Sequence, residues 1–453
     1  MAVAKLRSIG LDVGTTTTQL ILSELEIHNS AGAFSVPRME ITDRKILYQS
    51  PVYFTPLDGD LVDGAAIREI VEQEYRAAGV HRQDIDTGAI IITGETSRKE
   101  NAQRVLHELS GFAGDFVVAT AGPDLESVLA AKGSGATQYS RDTGKTLLHM
   151  DIGGGTANLA WIENGEITAT GCMNVGGRLL KFDRDGVVTY VSLVLHCLTR
   201  LQVGQRYDPE QVEAIARILV QGLEEAAGLR LVSEVFHALW TKQTAGVWTP
   251  KRAQVISFSG GVADCIHGIH RDQEFGDMGP VLGRTILKSL LCQGEYMLGG
   301  QTIRATVIGA GSYSTQLSGS TIFCQNVHLP MKNLPVAACK AEKQDICRAL
   351  AQADTERVVL ALPSTQSVDY AQVQQMARAV HEAVGEKPVY LAVGQDMAKA
   401  LGQALSLMRS PQAVCLCMDG LELSQDSFLD IGTPIGPALP VVIKTLILNH
   451  RTP

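Results

Sequence analysis

The sequence lacks a Cys-x-x-Cys pair, a Gly-x-x-x-x-Gly-Lys loop and a Gly-x-Gly-x-x-Gly turn opening a helix. It also lacks a dense Lys/Arg run and any apolar stretch approaching ~20 residues, the length a membrane span needs. Each absence removes a class. Without a spaced second cysteine pair, structural zinc is not expected. The nine cysteines, an odd number in a long chain, read as reduced, half-buried thiols of a cytosolic protein. Cys415 and Cys417 alternate on a strand-like run and so share a face. The two missing glycine loops exclude a Walker cradle and a dinucleotide fingerprint. A formal net charge of −9 speaks against a nucleic-acid surface, and Arg98-Lys99 is too short to supply one. The most apolar tail run, Pro440 to Leu448, is cut by Lys444, so no membrane partner is expected. A first strand reached by about Ile9 leaves no room for a secretory leader.

What is present is 453 residues of ordinary globular composition with 44 glycines. That length exceeds one core and implies two or three domains. Leu6–Val13 and Thr17–Leu22 read as paired strands, with another near Ile46–Tyr48. Asp63–Ala78 suits a helix, with apolar Ile67, Ile70 and Val71. Ala89–Thr93 reads as a buried strand, Asn101–Ser110 as a helix and Phe116–Ala119 as a strand. A helix runs from Pro123 to Ala131, with proline where its missing N–H costs nothing. Strand Ile167–Thr170, a helical stretch Pro209–Leu239, strand Val255–Phe258 and a small-residue helix Ala305–Gly311 follow. From about Leu329 strands and helices alternate: Val358–Leu362, Tyr370–Val384, Val389–Ala392, Met397–Leu407, Val414–Met418. This predicts a separate α/β unit, with Lys340–Asp345 as the linker. The expected division is residues 1–145, 146–330 and 331–453.

The most informative feature is a repeat. Ile9-Gly10-Leu11-Asp12-Val13-Gly14-Thr15-Thr16-Thr17 matches His149-Met150-Asp151-Ile152-Gly153-Gly154-Gly155-Thr156 when Asp12 is set on Asp151. Gly14 then falls on Gly153, Thr17 on Thr156 and Leu20 on Leu159. In both, an apolar run ends in Asp, a Gly/Thr turn follows and a second apolar run begins. That is a strand–turn–strand hairpin made twice. Gly14 permits a tight turn whose N–H groups form an anion-binding nest. Thr15, Thr16 and Thr17 add hydroxyl donors. Gly153, Gly154 and Gly155 let phosphate approach the second backbone closely. Asp12 and Asp151 repel phosphate but suit Mg²⁺ held through waters. A single Asp-x-Gly is an ordinary turn; two matched copies make a polyphosphate clamp.

These hairpins resemble those of the actin, sugar-kinase and heat-shock chaperone ATPase superfamily. Ser259-Gly260-Gly261 after a strand is similar to its adenosine turn. Pro123 through Ala131 and Val307–Gly311 resemble its two connecting helices, with small residues that allow close crossing. Val175-Gly176-Gly177 matches its glycine pair after the third strand. One departure stands out: where chaperone ATPases carry a glutamate before the proline of the first connecting helix, this chain has Gly122. Asp124, Glu126 or Glu95 are the candidate substitutes as water-activating acids. Arg178, after the glycine pair, reads first as a surface arginine and second as a phosphate contact. His149 and His196 read as packed or capping residues.

Within the superfamily, Leu6 to Thr18, Ile91 through Ala102, Ser318-Gly319-Ser320-Thr321-Ile322 and Asp430-Ile431-Gly432-Thr433-Pro434-Ile435 resemble the ethanolamine ammonia-lyase reactivating factors. The resemblance spans essentially the whole chain. It implies an α/β, actin-like ATPase fold of two similar lobes around a nucleotide cleft, plus a C-terminal α/β unit for partner recognition. It implies ATP and Mg²⁺ as ligands and ethanolamine ammonia-lyase as partner, with adenosylcobalamin reached only through that lyase. ATP bridging the two hairpins would close the cleft and hydrolysis would loosen it. The implied location is the cytoplasm, with entry into a bacterial microcompartment and homo-oligomerisation left open. The alternative on the same fold is a small-molecule kinase; a filament-forming protein ranks behind it.

Overall fold

The computed structural model describes residues 2–14, 17–29, 39–58, 61–93, 101, 105, 109, 117–120, 123–241, 248–300, 302–313, 315–317, 322–353, 355, 357–363, 369–421, 423, 427–432, 434 and 439–445. Two of its sheets have one plan. In the first, β1 (Ala2–Val13) pairs antiparallel with β2 (Thr17–Asn29), and β2 pairs antiparallel with β3 (Met39–Gln49). On the other side β1 runs parallel to β4 (Thr87–Ile92), which runs parallel to β5 (Val117–Thr120). In the second, β6 (Leu147–Ile152) pairs antiparallel with β7 (Ala157–Glu163), and β7 with β8 (Glu166–Met173). There β6 runs parallel to β9 (Val255–Ser259), which runs parallel to β10 (Glu295–Leu298). The strand orders, β3-β2-β1-β4-β5 and β8-β7-β6-β9-β10, are the same path walked twice. This is the expected actin-like pair of similar lobes.

Each lobe closes on its own core. Ile9, Leu11, Val13 and Leu20 pack with Ile67, Val71 and Tyr75 of the helix Gly64–Ala78. Asp63 starts that helix by accepting from the N–H groups of Ala65 and Ala66. In the second lobe Met150, Ile152, Leu159 and Trp161 pack with the helix Pro209–Ala226. The helical stretch expected over Pro209–Leu239 is two helices, because Gly228 adopts the left-handed conformation (φ 67°) after Ala226 and the second helix, Glu234–Leu239, begins afresh. The N–H groups of Gly228 and Leu229 return to the carbonyls of Glu225 and Glu224, a glycine stop.

Two helices connect the lobes, Pro123–Gly133 and Ala305–Tyr313. They cross at backbone contact. A Cβ on Gly133 would lie 1.9 Å from the Ala305 carbonyl oxygen, and one on Gly309 would lie 2.1 Å from that of Leu129. The second crossing helix also presses on β1: a Cβ on Gly10 would lie 2.5 Å from the Val307 oxygen. Ser8 Oγ donates to the Gly311 carbonyl.

The largest sheet has eight strands. Met331–Ala338, Val359–Leu362, Val389–Val393 and Cys415–Met418 run parallel, and Ile322–Gln325 closes one edge antiparallel. Ser427–Ile431, Pro440–Thr445 and Thr315–Leu317 extend the other. Helices Lys343–Gln352, Tyr370–Val384 and Ala398–Ser406 cover one face. Two of these strands lie upstream of residue 331. Lys340–Asp345 is not a linker: it joins Met331–Ala338 to the helix Lys343–Gln352 inside one unit, because the strand before it pairs with Val359–Leu362. The Asn101–Ser110 helix, the run from Gly94 to Glu100 and Ser318–Thr321 fall largely or wholly outside the described residues.

The crossing predicts a sharp contrast. Gly309→Ala should destabilise the protein by about 1–3 kcal/mol, the usual cost of overpacking. Gly294→Ala, with nothing within 4 Å of its added Cβ, should be near neutral. Paired denaturant midpoints measure the difference; equal midpoints would mean that the helices slide apart at little cost.

Candidate functional site

The two acid-bearing turns open on one cleft of ≈ 430 Å³ between the lobes. Asp12, Gly14 and Thr17 line it from the first lobe. Asp151, Gly153, Gly154, Gly155 and Thr156 line it from the second. The turns are equivalent in detail. Gly14 N–H donates to the Thr17 carbonyl at 2.9 Å, and Gly153 N–H to the Thr156 carbonyl at 2.9 Å. The register agrees as well, with Asp12 opposite Gln19 and Asp151 opposite Asn158. A two-residue repeat of side-chain direction therefore brings each acid and its cross-strand amide to one face.

Both acids sit where ionisation is costly. Burial pushes Asp12 up to about 7, aided by the nearby carboxylates of Glu126 and Asp151 and opposed by a 2.9 Å hydrogen bond from Thr93 Oγ1. Burial pushes Asp151, 8 % exposed, up to about 6. Ser259 Oγ, at 2.5 Å, and Thr306 Oγ1, at 3.4 Å, donate to it and oppose that rise. His149 completes the support below. Burial holds it down to about 3, so it is neutral. Since Ser259 donates to Asp151, it accepts from His149 Nε2 at 3.0 Å, and His149 Nδ1 accepts from Ser257 Oγ at 3.0 Å. The packed role expected for His149 is therefore a wired one. His196 lies exposed in a short 3₁₀ turn.

Glycine decides the second wall. Gly176 lies so close that a Cβ would be 2.3 Å from the Gly154 carbonyl oxygen, and Gly177 N–H donates to the Gly153 carbonyl at 3.0 Å. Gly260 has φ 87° and abuts the Ile152 backbone, where a Cβ would be 2.3 Å from its oxygen. Gly260 and Gly261 line the cleft, while Ser259 lies beneath it.

Other expectations meet different outcomes. Thr15, Thr16 and Glu95 lie outside the described residues. Asp124 does not line the cleft; it is exposed and accepts from Thr170 Oγ1 at 2.6 Å. Glu126, one half-turn further along the helix, does line it, is 8 % exposed, and accepts from Asn158 Nδ2 at 2.8 Å. Arg178 is not a surface arginine. It lines the cleft over Gly154, with its Nε donating to Asp277 at 3.1 Å. Gln19, Asn158, Thr93, Asp277 and Thr306 escaped the sequence reading. A signal for the first two existed, since each lies seven residues after its acid in the aligned repeat.

Among the described residues no three His, Cys, Asp or Glu side chains group as a metal cage. An all-oxygen floor with two disfavoured carboxylates instead suits a hard cation that keeps most of its shell from water or phosphate.

The raised acids carry a stability signature. A carboxyl whose folded value is above its unfolded one stabilises the fold fully below the unfolded value, and that support is lost as pH rises through the folded value. For Asp12 the window runs from 3.8 to about 7. The metal-free protein should therefore lose stability across it, and Asp12→Asn should flatten the slope and be about 1–2 kcal/mol more stable at pH 8. Thermal midpoints at a series of pH values in EDTA decide this; an Asn variant with the parent's slope would show that Asp12 is well solvated.

The chain is similar to known proteins along nearly its whole length. The family described as Ethanolamine utilisation protein EutA matches residues 4–449. The chain is 39 % identical to the Ethanolamine ammonia-lyase reactivase EutA of Escherichia coli (strain K12), over 98 % of this chain and 99 % of that protein. It is 38 % identical to the protein of the same name from Salmonella typhimurium, over 98 % and 99 %. Among solved structures, a Ppx/GppA family member from Aquifex aeolicus covers 68 % of this chain and 97 % of its own at 11 % identity and a TM-score of 0.42. With a match that runs nearly end to end, this chain belongs to the ethanolamine utilisation protein EutA family.

Proposed function

We propose that this protein is an ATP-dependent reactivating factor for adenosylcobalamin-dependent ethanolamine ammonia-lyase, releasing damaged cobalamin so that intact cofactor can bind. Family membership and the names of its two relatives support the partner. The observation that carries the nucleotide part is the pair of equivalent turns facing one cleft, each closed by the same 2.9 Å hydrogen bond and each preceded by an acid whose charged form is disfavoured.

In this reading Gly14 and Gly153 close the two turns, and the N–H groups of Gly154 and Gly155, with the hydroxyls of Thr17 and Thr156, hold a triphosphate between the lobes. Thr15 and Thr16 belong to the same loop. Gly260 and Gly261, supported by Ser259, form the floor against which a nucleoside lies. Asp12 and Asp151 hold Mg²⁺, which would neutralise phosphate charge when bound. Arg178, steadied by Asp277, adds a positive charge beside Gly154. Glu126 is the described acid best placed to orient water, since it lines the cleft and Asn158 holds it; Asp124 and Glu95 take lower rank.

The lobes pivot about the two crossing helices. Moving such a two-state hinge from 1:99 to 99:1 takes ~5.5 kcal/mol of differential binding. Several charge-assisted hydrogen bonds to a terminal phosphate, about 1.5–3 kcal/mol each, supply that. The eight-stranded C-terminal unit, residues 331–453 with the strands drawn in from upstream, is the proposed surface for the lyase. No described helix is long and apolar enough to cross a membrane. The proposed place of action is the cytoplasm, beside the lyase, including a microcompartment that encloses it.

The test mixes the protein with lyase blocked by cyanocobalamin and adds adenosylcobalamin, ATP and Mg²⁺. Ammonia release should recover only with all components, and Asp12→Asn or Asp151→Asn should each lower phosphate release by about 100-fold or more. Phosphorylated ethanolamine or sugar in place of free phosphate would instead identify a kinase.

A further inference from the structure

Two side-chain amide oxygens at the cleft have no task in holding the nucleotide. Among the described residues Gln19 Oε1 and Asn158 Oδ1 have no hydrogen-bond partner, and both residues are only 4 % exposed. They are not independent accidents. Gln19 is the cross-strand mate of Asp12, and Asn158 is the mate of Asp151. The duplicated hairpin thus places one acid and one amide on each side of the same cleft, and both amides line it.

The orientation of each amide is set by its nitrogen. Asn158 Nδ2 donates to Glu126 Oε2 at 2.8 Å, and Gln19 Nε2 donates to the Ile303 carbonyl at 3.3 Å. A carboxylate and a carbonyl can only accept, so flipping either amide would set oxygen against oxygen. The carbonyl oxygens are left as the free ends. A buried acceptor without a donor carries the full desolvation cost of the group. Each nitrogen spends one of its two N–H bonds in this way, while the carbonyl oxygen of each amide accepts nothing among the described residues. What a carbonyl oxygen beside these acids accepts is a cation or a cation's water.

We propose that Gln19 and Asn158 are a matched pair of cation ligands, their side-chain oxygens taking a hard divalent cation, directly or through its waters, between Asp12 and Asp151. The proposal rests on the nucleotide reading for the cation's setting, but not for its existence. Neutral oxygens at these two places have a physical rationale. Asp12, Asp151 and Glu126 already bring three carboxylates to the cleft, and two more would repel one another before any cation arrived. Oxygen donors of this kind suit magnesium or manganese rather than a soft metal.

The experiment uses the full chain and Mn²⁺ as probe. Electron paramagnetic resonance counts free Mn²⁺ with and without ADP, and ADP affinity is measured separately in EDTA. Gln19→Leu and Asn158→Leu should each weaken Mn²⁺ binding by about 10–100-fold, the range seen when groups supporting a metal are removed. ADP affinity in EDTA should change by less than about twofold, since the proposed ligand of the amides is the cation and not the phosphate. Near-ultraviolet circular dichroism checks folding; if a Leu variant does not fold, Gln19→Met and Asn158→Ala carry the same comparison. Unchanged Mn²⁺ affinity in folded variants at both positions overturns the proposal, because the orphaned oxygens are then met by water alone. Absence of ADP binding by the parent overturns the nucleotide reading instead, and the Mn²⁺ comparison still decides this one.

Discussion

The molecule depends on one close contact, the crossing of Pro123–Gly133 over Ala305–Tyr313. No side chain fits between them at Gly133 or Gly309, because the opposing carbonyl oxygens already fill the place of a Cβ. That approach fixes how far apart the two β-lobes stand, and so whether their turns share a cleft or face separate solvent. The second crossing helix touches both sides of the result. Its Thr306 reaches Asp151, while its Gly311 accepts from Ser8 on the strand that carries Asp12. A movement of this helix cannot leave either acid undisturbed, which gives the hinge a physical form.

The acids themselves work against the fold that holds them. Burial raises Asp12 to about 7, with help from the carboxylates of Glu126 and Asp151, and raises Asp151 to about 6, so the charged form of each costs the fold. Hydroxyls from Thr93, Ser259 and Thr306 recover part of it. The residue is a site that gains most from a bound cation, as expected where a fold stores instability at the place it uses. The neutral His149 beneath Asp151 fits this logic: it holds Ser259 in donating orientation without contributing a charge that would satisfy the acid in advance.

How far the chain could be read varied with the range of the forces involved. The twin hairpins were legible because Asp, Gly and Thr act within a few residues: the turn needs glycine, and the register follows from alternation. Gly176 and Gly260 were legible as glycines, but their reason, a neighbour's backbone, was not. Pro209–Leu239 was read too long because Gly228 competes with an otherwise continuous apolar pattern. Lys340–Asp345 looked like a linker because polar turns inside and between domains have one composition. Arg178 was misplaced for a sharper reason. A lone arginine carries no local sign of burial, and its partner Asp277 is 99 residues away.

By itself the sequence determined the units: which segments are strands, where the acids stand on them, and that the hairpin occurs twice. Those follow from backbone sterics and side-chain alternation, which are local and are set by a handful of adjacent residues. Only the tertiary structure decided that Glu126 and not Asp124 enters the cleft, that Arg178 faces inward, and that Gln19 and Asn158 keep an unfilled oxygen. Each of those outcomes turns on a contact between segments remote in the chain, where burial and the identity of the neighbour set the energy and no short pattern records it.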